Sequence, residues 1–222
     1  MMKKTVWGVL LMTAAVFAGG KVLYSIDFTK QPKGNAVSIL TPKGYEFLLD
    51  SKKLNPTITA KGVEMSTHKQ LAGLWGLRLK QPLHNVGSVV IEWGVEKFPQ
   101  GANWEQGKNR LALGAIIALG KQKFTSGVPF APSAPYFFGP FIGEKEKVGK
   151  RYLGRLYKKS GRYYCVSNQK GLVKTRFEID KKFRQEFGTQ TPPVVAFGFQ
   201  MNTQGTQGGA KAFVKKITFY SK

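Results

Sequence analysis

The sequence predicts an all-β domain, a sandwich or barrel of many short strands. Short β-rich runs recur along the whole chain, and Gly, Pro and Asn punctuate them, with 26 Gly and 11 Pro supplying the turns. The clearest run alternates apolar and polar residues with period two. Only one short stretch carries the 3.6-residue period of a helix. Strands are expected near 22–28, 36–40, 45–49, 62–67, 71–80, 87–97, 111–119, 134–142, 151–158, 162–168, 172–177, 194–201 and 210–220.

The first residues do not belong to that domain. Lys3 and Lys4 precede an apolar run from Val6 to Phe17, and small residues follow at Ala18-Gly19-Gly20. A basic start, an apolar centre and a small-residue exit are the marks of a secretory signal peptide. Val16 and Ala18 occupy the small positions before a cut, so cleavage is expected after Ala18. The alternative is a retained anchor, but the run is short of the roughly 20 apolar residues that a spanning helix needs. The expected organisation is a cleavable leader over 1–18 and a single β-sandwich domain over 19–222, periplasmic or secreted, with no transmembrane segment after cleavage. No cysteine lies near the cut to take a lipid.

Within the domain, Val89, Ile91, Trp93 and Val95 fall on one face of the 87–97 strand, and Val90, Glu92, Gly94 and Glu96 on the other. Leu111 to Leu119 is apolar on both faces, as a covered central strand would be, and Val194 to Phe199 reads the same way. The one helix is expected near 180–187: Asp180 as N-cap, Phe183 and Phe187 four apart on one face, Gly188 as its stop. Thr191-Pro192-Pro193 then forces an extended entry into the next strand.

Charge narrows the partner. The chain has 35 Lys and Arg against 12 Asp and Glu, a net of +23; losing Lys3 and Lys4 with the leader leaves +21. Such a field draws polyanions without choosing among them. Export favours an anionic glycan, an envelope polymer or an acidic protein over nucleic acid.

The stretches Phe183-Arg184-Gln185-Glu186-Phe187-Gly188, Pro192-Pro193-Val194 and Gly198-Phe199-Gln200-Met201-Asn202-Thr203, with Ile91-Glu92-Trp93-Gly94-Val95 and Pro99-Gln100-Gly101-Ala102 before them, resemble a bacterial family of exported proteins. It is the domain-of-unknown-function family numbered three-zero-four-seven, and the likeness spans roughly residues 63–220. The resemblance implies a jelly-roll-like antiparallel β-sandwich and export, and it implies no activity. Where that family carries acids after its penultimate strand, this chain reads Met201-Asn202-Thr203-Gln204-Gly205-Thr206-Gln207-Gly208-Gly209. A hard cation needs charged oxygen ligands, so a calcium site is unsupported here. An amide- and glycine-rich loop is left, either a plain turn or, through Asn202 and Gln204, a set of hydrogen bonds for neutral hydroxyls.

No signature names a reaction. Glu92 and Glu96 share a face, yet four residues of strand separate them by roughly 13 Å, beyond the reach of a glycosidase pair. Either would need a partner from a neighbouring strand, such as Glu64, and a solvated or lysine-paired role is the alternative. His68 and His84 have no ligand or triad spacing, and Cys165 lies in an apolar strand pattern that suits a buried thiol. No cofactor and no metal are expected.

The basic hairpin over 150–164 is more suggestive. As a strand, 151–158 would project Arg151, Leu153, Arg155 and Tyr157 to one side, cations and an aromatic ring for a uronate or phosphate backbone. The loop over 128–141, rich in Pro, Phe and Tyr, suits either a rim or a cover for the core. Trp75, Trp93 and Trp104 are candidates for a sugar-stacking platform, although Trp93, on the apolar face of its strand, is expected in the core. These residues point first to a non-catalytic binding module, its contacts drawn from Glu92, Glu96, Arg151, Arg155, Tyr157, Asn202 and Gln204. A polysaccharide hydrolase or lyase built around Glu92 is the second reading, and nucleic-acid binding the third.

Overall fold

A computed structural model describes residues 20–129 and 131–222. The expected leader and its cut after Ala18 lie outside the described residues. The chain folds as a jelly-roll-like β-sandwich of two seven-stranded sheets. One sheet holds β1 (Val22–Asp27), β2 (Gly34–Asn35), β4 (Thr57–Thr59), β5 (Gly62–Thr67), β7 (Val86–Lys97), β12 (Gly171–Phe177) and β14 (Ala210–Ser221). Its order is β12-β7-β14-β5-β4-β2, with β1 alongside the end of β14. The other runs β10 (Arg151–Tyr152), β11 (Gly161–Ser167), β9 (Ala134–Ile142), β8 (Leu111–Phe124), β13 (Val194–Asn202), β6 (Ala72–Leu83) and β3 (Tyr45–Leu49). We call them the front sheet (β7 and its partners) and the back sheet (β13 and its partners). Pairings among the described strands are antiparallel except β9 with β11.

The period-two pattern of β7 places its apolar set between the sheets. Val89, Trp93 and Val95 are fully buried there, and Ile91 nearly so. From the back sheet Trp75, Phe138 and Phe199 meet them, and Trp93 stands edge-on to Phe199 at 6.5 Å. Both indole N–H groups find partners, Trp93 Nε1 donating to Thr175 Oγ1 at 3.0 Å and Trp75 Nε1 to Met65 Sδ at 3.1 Å. Trp75 and Trp93 are therefore core, and no platform of three tryptophans forms.

The helix α2 (Ile179–Phe187) carries the chain from β12 in the front sheet to β13 in the back sheet. Phe183 is fully buried and Gly188 takes the left-handed stop at φ 68°. Asp180 is not its N-cap. It sits inside the first turn, where its carboxylate accepts from Thr191 Oγ1 at 2.7 Å and pairs with Arg184 and Lys222.

Two expected strands differ. Residues 36–40 form a short helix, α1 (Ala36–Leu40), because Asn35 Oδ1 accepts from the N–H groups of Val37 and Ser38 and so caps a turn of helix. Ala36 and Leu40, four apart, then bury together. The expected strand 151–158 ends at Tyr152, after pairing only Arg151 with Tyr164 and Tyr152 with Tyr163. Beyond it the chain crosses the outer surface as a loop with Tyr157 at φ 58°. There Tyr157 N–H donates to Ser126 O at 2.9 Å, and its carbonyl accepts from Ser160 and Gly161. In the 128–141 segment, residues from 134 onward are β9, with Phe138 in the main core and Phe141 on the outer side of the same sheet.

Candidate binding site

The outward face of the front sheet carries Glu92 and Glu96, and both are neutralised. Glu92 pairs with Lys215 at 3.1 Å. Glu96 pairs with Lys61 and, at 2.7 Å, with Lys211, which also reaches Glu64 at 3.7 Å. Those two lysines hold the Glu96 carboxyl below the usual glutamate range. Glu64 and Glu96 thus meet through a shared lysine, not as a catalytic pair. Tyr157, whose hydroxyl donates to Pro132 O, lies on the outer side of the back sheet, so among the described residues no cleft joins it to Glu92.

Both outer faces carry depressions: one of about 410 Å³ on the front sheet, bordered by Glu96, Lys61, Lys215 and Phe213, and a cleft on the back sheet. The outer side of the back sheet first gathers a small second core: Trp104 stacks on Phe141 with centroids 4.8 Å apart, next to Leu111, Tyr152 and Cys165. Three contacts fix the loop that brings Trp104 there. Asn103 Oδ1 caps the single turn over Trp104–Gln106. Trp104 N–H donates to Glu146 Oε1 at 2.8 Å, and its indole N–H donates to Arg110 O at 2.9 Å. Glu146 is itself buried and accepts two further backbone N–H groups, from Glu144 and Lys145, through its other oxygen.

Beside this second core lies an open cleft of about 350 Å³. Its floor is Gln200 on β13 and Tyr163 on β11. One wall is the loop over 153–157, which brings in Arg155, Leu156 and Tyr157; Asn109 Nδ2 donates to Leu153 O at 3.2 Å and ties this wall to the start of β8. The other wall is Asn202 and Gln204, which Arg110 braces by donating from Nε to Gln204 O at 2.5 Å. Internal hydrogen bonds order this amide-rich segment. Asn202 Oδ1 accepts from Gln204 N–H, Thr203 Oγ1 from Leu71 N–H, and Gln70 Oε1 from Gly205 N–H.

Four of the seven residues expected to bind therefore converge in one cleft: Arg155, Tyr157, Asn202 and Gln204. Arg151 does not join them. It turns toward α2 and pairs with Glu186 at 3.2 Å, because the strand that would have aligned it with Arg155 stops at Tyr152. Asn109, Arg110, Trp104, Tyr163 and Gln200 complete the lining without having been singled out as contacts. Gln200 was within reach of sequence, two residues from Asn202 on an alternating strand. The others arrive from distant segments.

The cleft is cationic. No carboxylate lines it, and among the described residues Arg155 has no ion-pair partner. Burial pushes the Tyr163 phenol up to about 12, against the pull of the neighbouring Gln200, so it stays a neutral hydroxyl. Its ring lies where a side chain at Gly139 or Gly154 would collide with it, within 2.4 Å and 2.9 Å. Tyr157 Oη donates to Pro132 O at 2.8 Å. Cys165 is buried and free, its thiol pushed up by desolvation. His68 and His84 are exposed, and no group of metal-ligating side chains occurs among the described residues. No helix among them is long and apolar enough to cross a membrane.

No family profile matches the chain, and no curated protein sequence matches it. Solved structures do align over most of its length. One is a xylan-binding module, CBM15, at 13% identity and a TM-score of 0.38, covering 91% of this chain and 97% of that one. Another is the basic winged bean lectin with Tn-antigen, at 11% and 0.44, covering 91% and 99%. A third is the exoplasmic/lumenal domain of VIP36 in its Ca2+/Man3GlcNAc-bound form, at 11% and 0.41, covering 89% and 88%.

Proposed function

We propose that this protein is a non-catalytic module that binds an anionic glycan in the cleft on the back sheet. One observation carries the reading. The lining combines two guanidinium groups, four side-chain amides and aromatic rings, and no carboxylate. Amides both donate to and accept from sugar hydroxyls. Arg155 offers a planar fork to a carboxylate or sulfate. The Tyr163 ring gives an apolar surface to the C–H face of a sugar. The cleft volume falls in the range of ligand sites, about 300–1,000 Å³. A hydrolase or lyase built around Glu92 has no support in this arrangement, since Glu92 is ion-paired on the opposite face.

Calorimetric titration of polygalacturonate and of uncharged dextran tests the proposal. Binding is expected for the acidic polymer alone, and Arg155→Gln should weaken it about tenfold, the loss of one exposed charge-assisted contact. Equal binding of both polymers, or an Arg155→Gln variant as tight as the parent, would overturn it.

We also propose that the chain is exported and stands beside the exported family numbered three-zero-four-seven, on the Phe183–Thr203 motifs and the Lys3–Ala18 pattern. N-terminal sequencing of the protein from its producing cells should begin at Gly19. A chain still starting at Met1 would contradict export by cleavage.

A further inference from the structure

The same outward face holds a second depression, of about 140 Å³, next to the cleft. Leu74, Ile116 and Leu48 line it, with Arg78 on β6 and Glu46 on β3 at its edge. The two depressions meet along β13. Ala196 and Gly198 border the second, Gln200 and Asn202 the first, and all four alternate outward on one strand. Gly114 of β8 sits opposite Gln200 at this junction, and its missing side chain leaves room for the Gln200 amide, which a Cβ on Gly114 would meet at 3.5 Å. Arg78 pairs in register with Ala196, and Leu111, next to Arg110, pairs with Asn202. Six residues along β13, one more on β8 to Arg110, and two strand spacings therefore separate the backbones of Arg78 and Arg110, about 25 Å along the diagonal.

We infer that the groove takes an internal segment of an extended anionic polysaccharide, lying diagonally across the back sheet from Arg155 and Arg110 to Arg78. This rests on the glycan-binding reading of the cleft and goes further, in naming a linear chain over a chain end. Arg78 is exposed and, among the described residues, has no ion-pair partner, so it is free for a second acidic group of the same chain. Glu46 at the same edge repels an acidic group placed directly beside it, leaving Arg78 as the contact for a carboxylate. It accepts hydrogen bonds from hydroxyls, so the groove suits a sugar chain that presents hydroxyls between its carboxylates. Two arginines reached by one tethered ligand act at high effective concentration, so affinity should climb with chain length until both are engaged.

The test uses galacturonate oligomers of graded length, from the dimer to chains longer than the groove, titrated into wild type, Arg78→Gln and Arg155→Gln. Wild type should bind the long chains about tenfold or more tighter than the dimer. Arg78→Gln should remove that gain and leave the dimer unchanged, whereas Arg155→Gln should weaken every length. Length-independent affinity that still depends on Arg155, or an Arg78→Gln loss shared equally by dimer and long chain, overturns the extended-groove inference alone. Failure of every oligomer to bind removes the glycan reading itself, and this inference with it. Arg78 is an exposed residue, so a thermal melt unchanged by Arg78→Gln confirms that the fold is intact.

Discussion

At the residue scale, the front sheet leaves no room at Gly94. A Cβ there would stand 2.3 Å from Gly171 O and 2.5 Å from the Phe213 ring. The Phe213 ring can turn, but the Gly171 carbonyl belongs to the β12–β7 ladder and is fixed by it. Gly94→Ala should therefore cost about 2 kcal/mol, the usual price of overpacking a closed site, and trimming Phe213 should not restore it. Urea unfolding of Gly94→Ala, alone and with Phe213→Ala, measures this; a single variant as stable as wild type would refute the crowding. The residues of the proposed site are of another kind. Arg155 is exposed, and removing it should change affinity without changing stability.

At the element scale, Glu186 ties α2 to the back sheet. Its carboxylate accepts from the Tyr164 hydroxyl and from Arg162 Nε at 2.8 Å, with Arg151 at 3.2 Å. Burial pushes this carboxyl up, but the Tyr164 hydrogen bond and the two guanidinium groups outweigh it, leaving the group below its ordinary range. A carboxyl depressed by folding stabilises the protein fully above its unfolded pKa of about 4.3, and that contribution disappears as pH falls through the lower folded value. Stability measured by urea from pH 7 down to pH 3 should thus fall more steeply for wild type than for Glu186→Gln. Parallel curves would mean that the contact is not linked to protonation. Glu146 plays a comparable part for the cleft, its two oxygens holding the Trp104 loop and the 143–146 turn together through three backbone N–H groups.

At the scale of the whole molecule, the acids are largely consumed by neighbouring cations. Eight of the 12 acidic residues, Asp50, Glu64, Glu92, Glu96, Glu105, Glu178, Asp180 and Glu186, lie in ion pairs. The excess of 35 cations over 12 acids therefore remains as an unbalanced field. Attraction of a polyanion to that field is screened over a Debye length of about 8 Å at physiological salt. Affinity for polygalacturonate should drop steeply between low and high salt, mainly through the association rate. Stopped-flow association at several salt concentrations checks this, and a salt-independent on-rate would show that the net charge plays no part.

The sequence by itself determined the sandwich, because period-two burial is written locally: the alternation through Val89 to Val95 and the Gly and Pro turns fix strands wherever they pair. It also marked Arg155, Tyr157, Asn202 and Gln204, whose residue types suit polar recognition in any setting. It misjudged 36–40 and 151–158, where a capping asparagine and a left-handed tyrosine overrode a pattern of apolar residues. It could not show that Glu92 and Arg155 face opposite ways. Which strands share a sheet depends on contacts between residues far apart in the chain, such as Gln200 beside Gly114 and Trp104 held by Glu146. Only the tertiary structure decided that the amides, Arg110, Tyr163 and the 153–157 wall enclose one cleft, since each arrives from a different segment and no local pattern connects them.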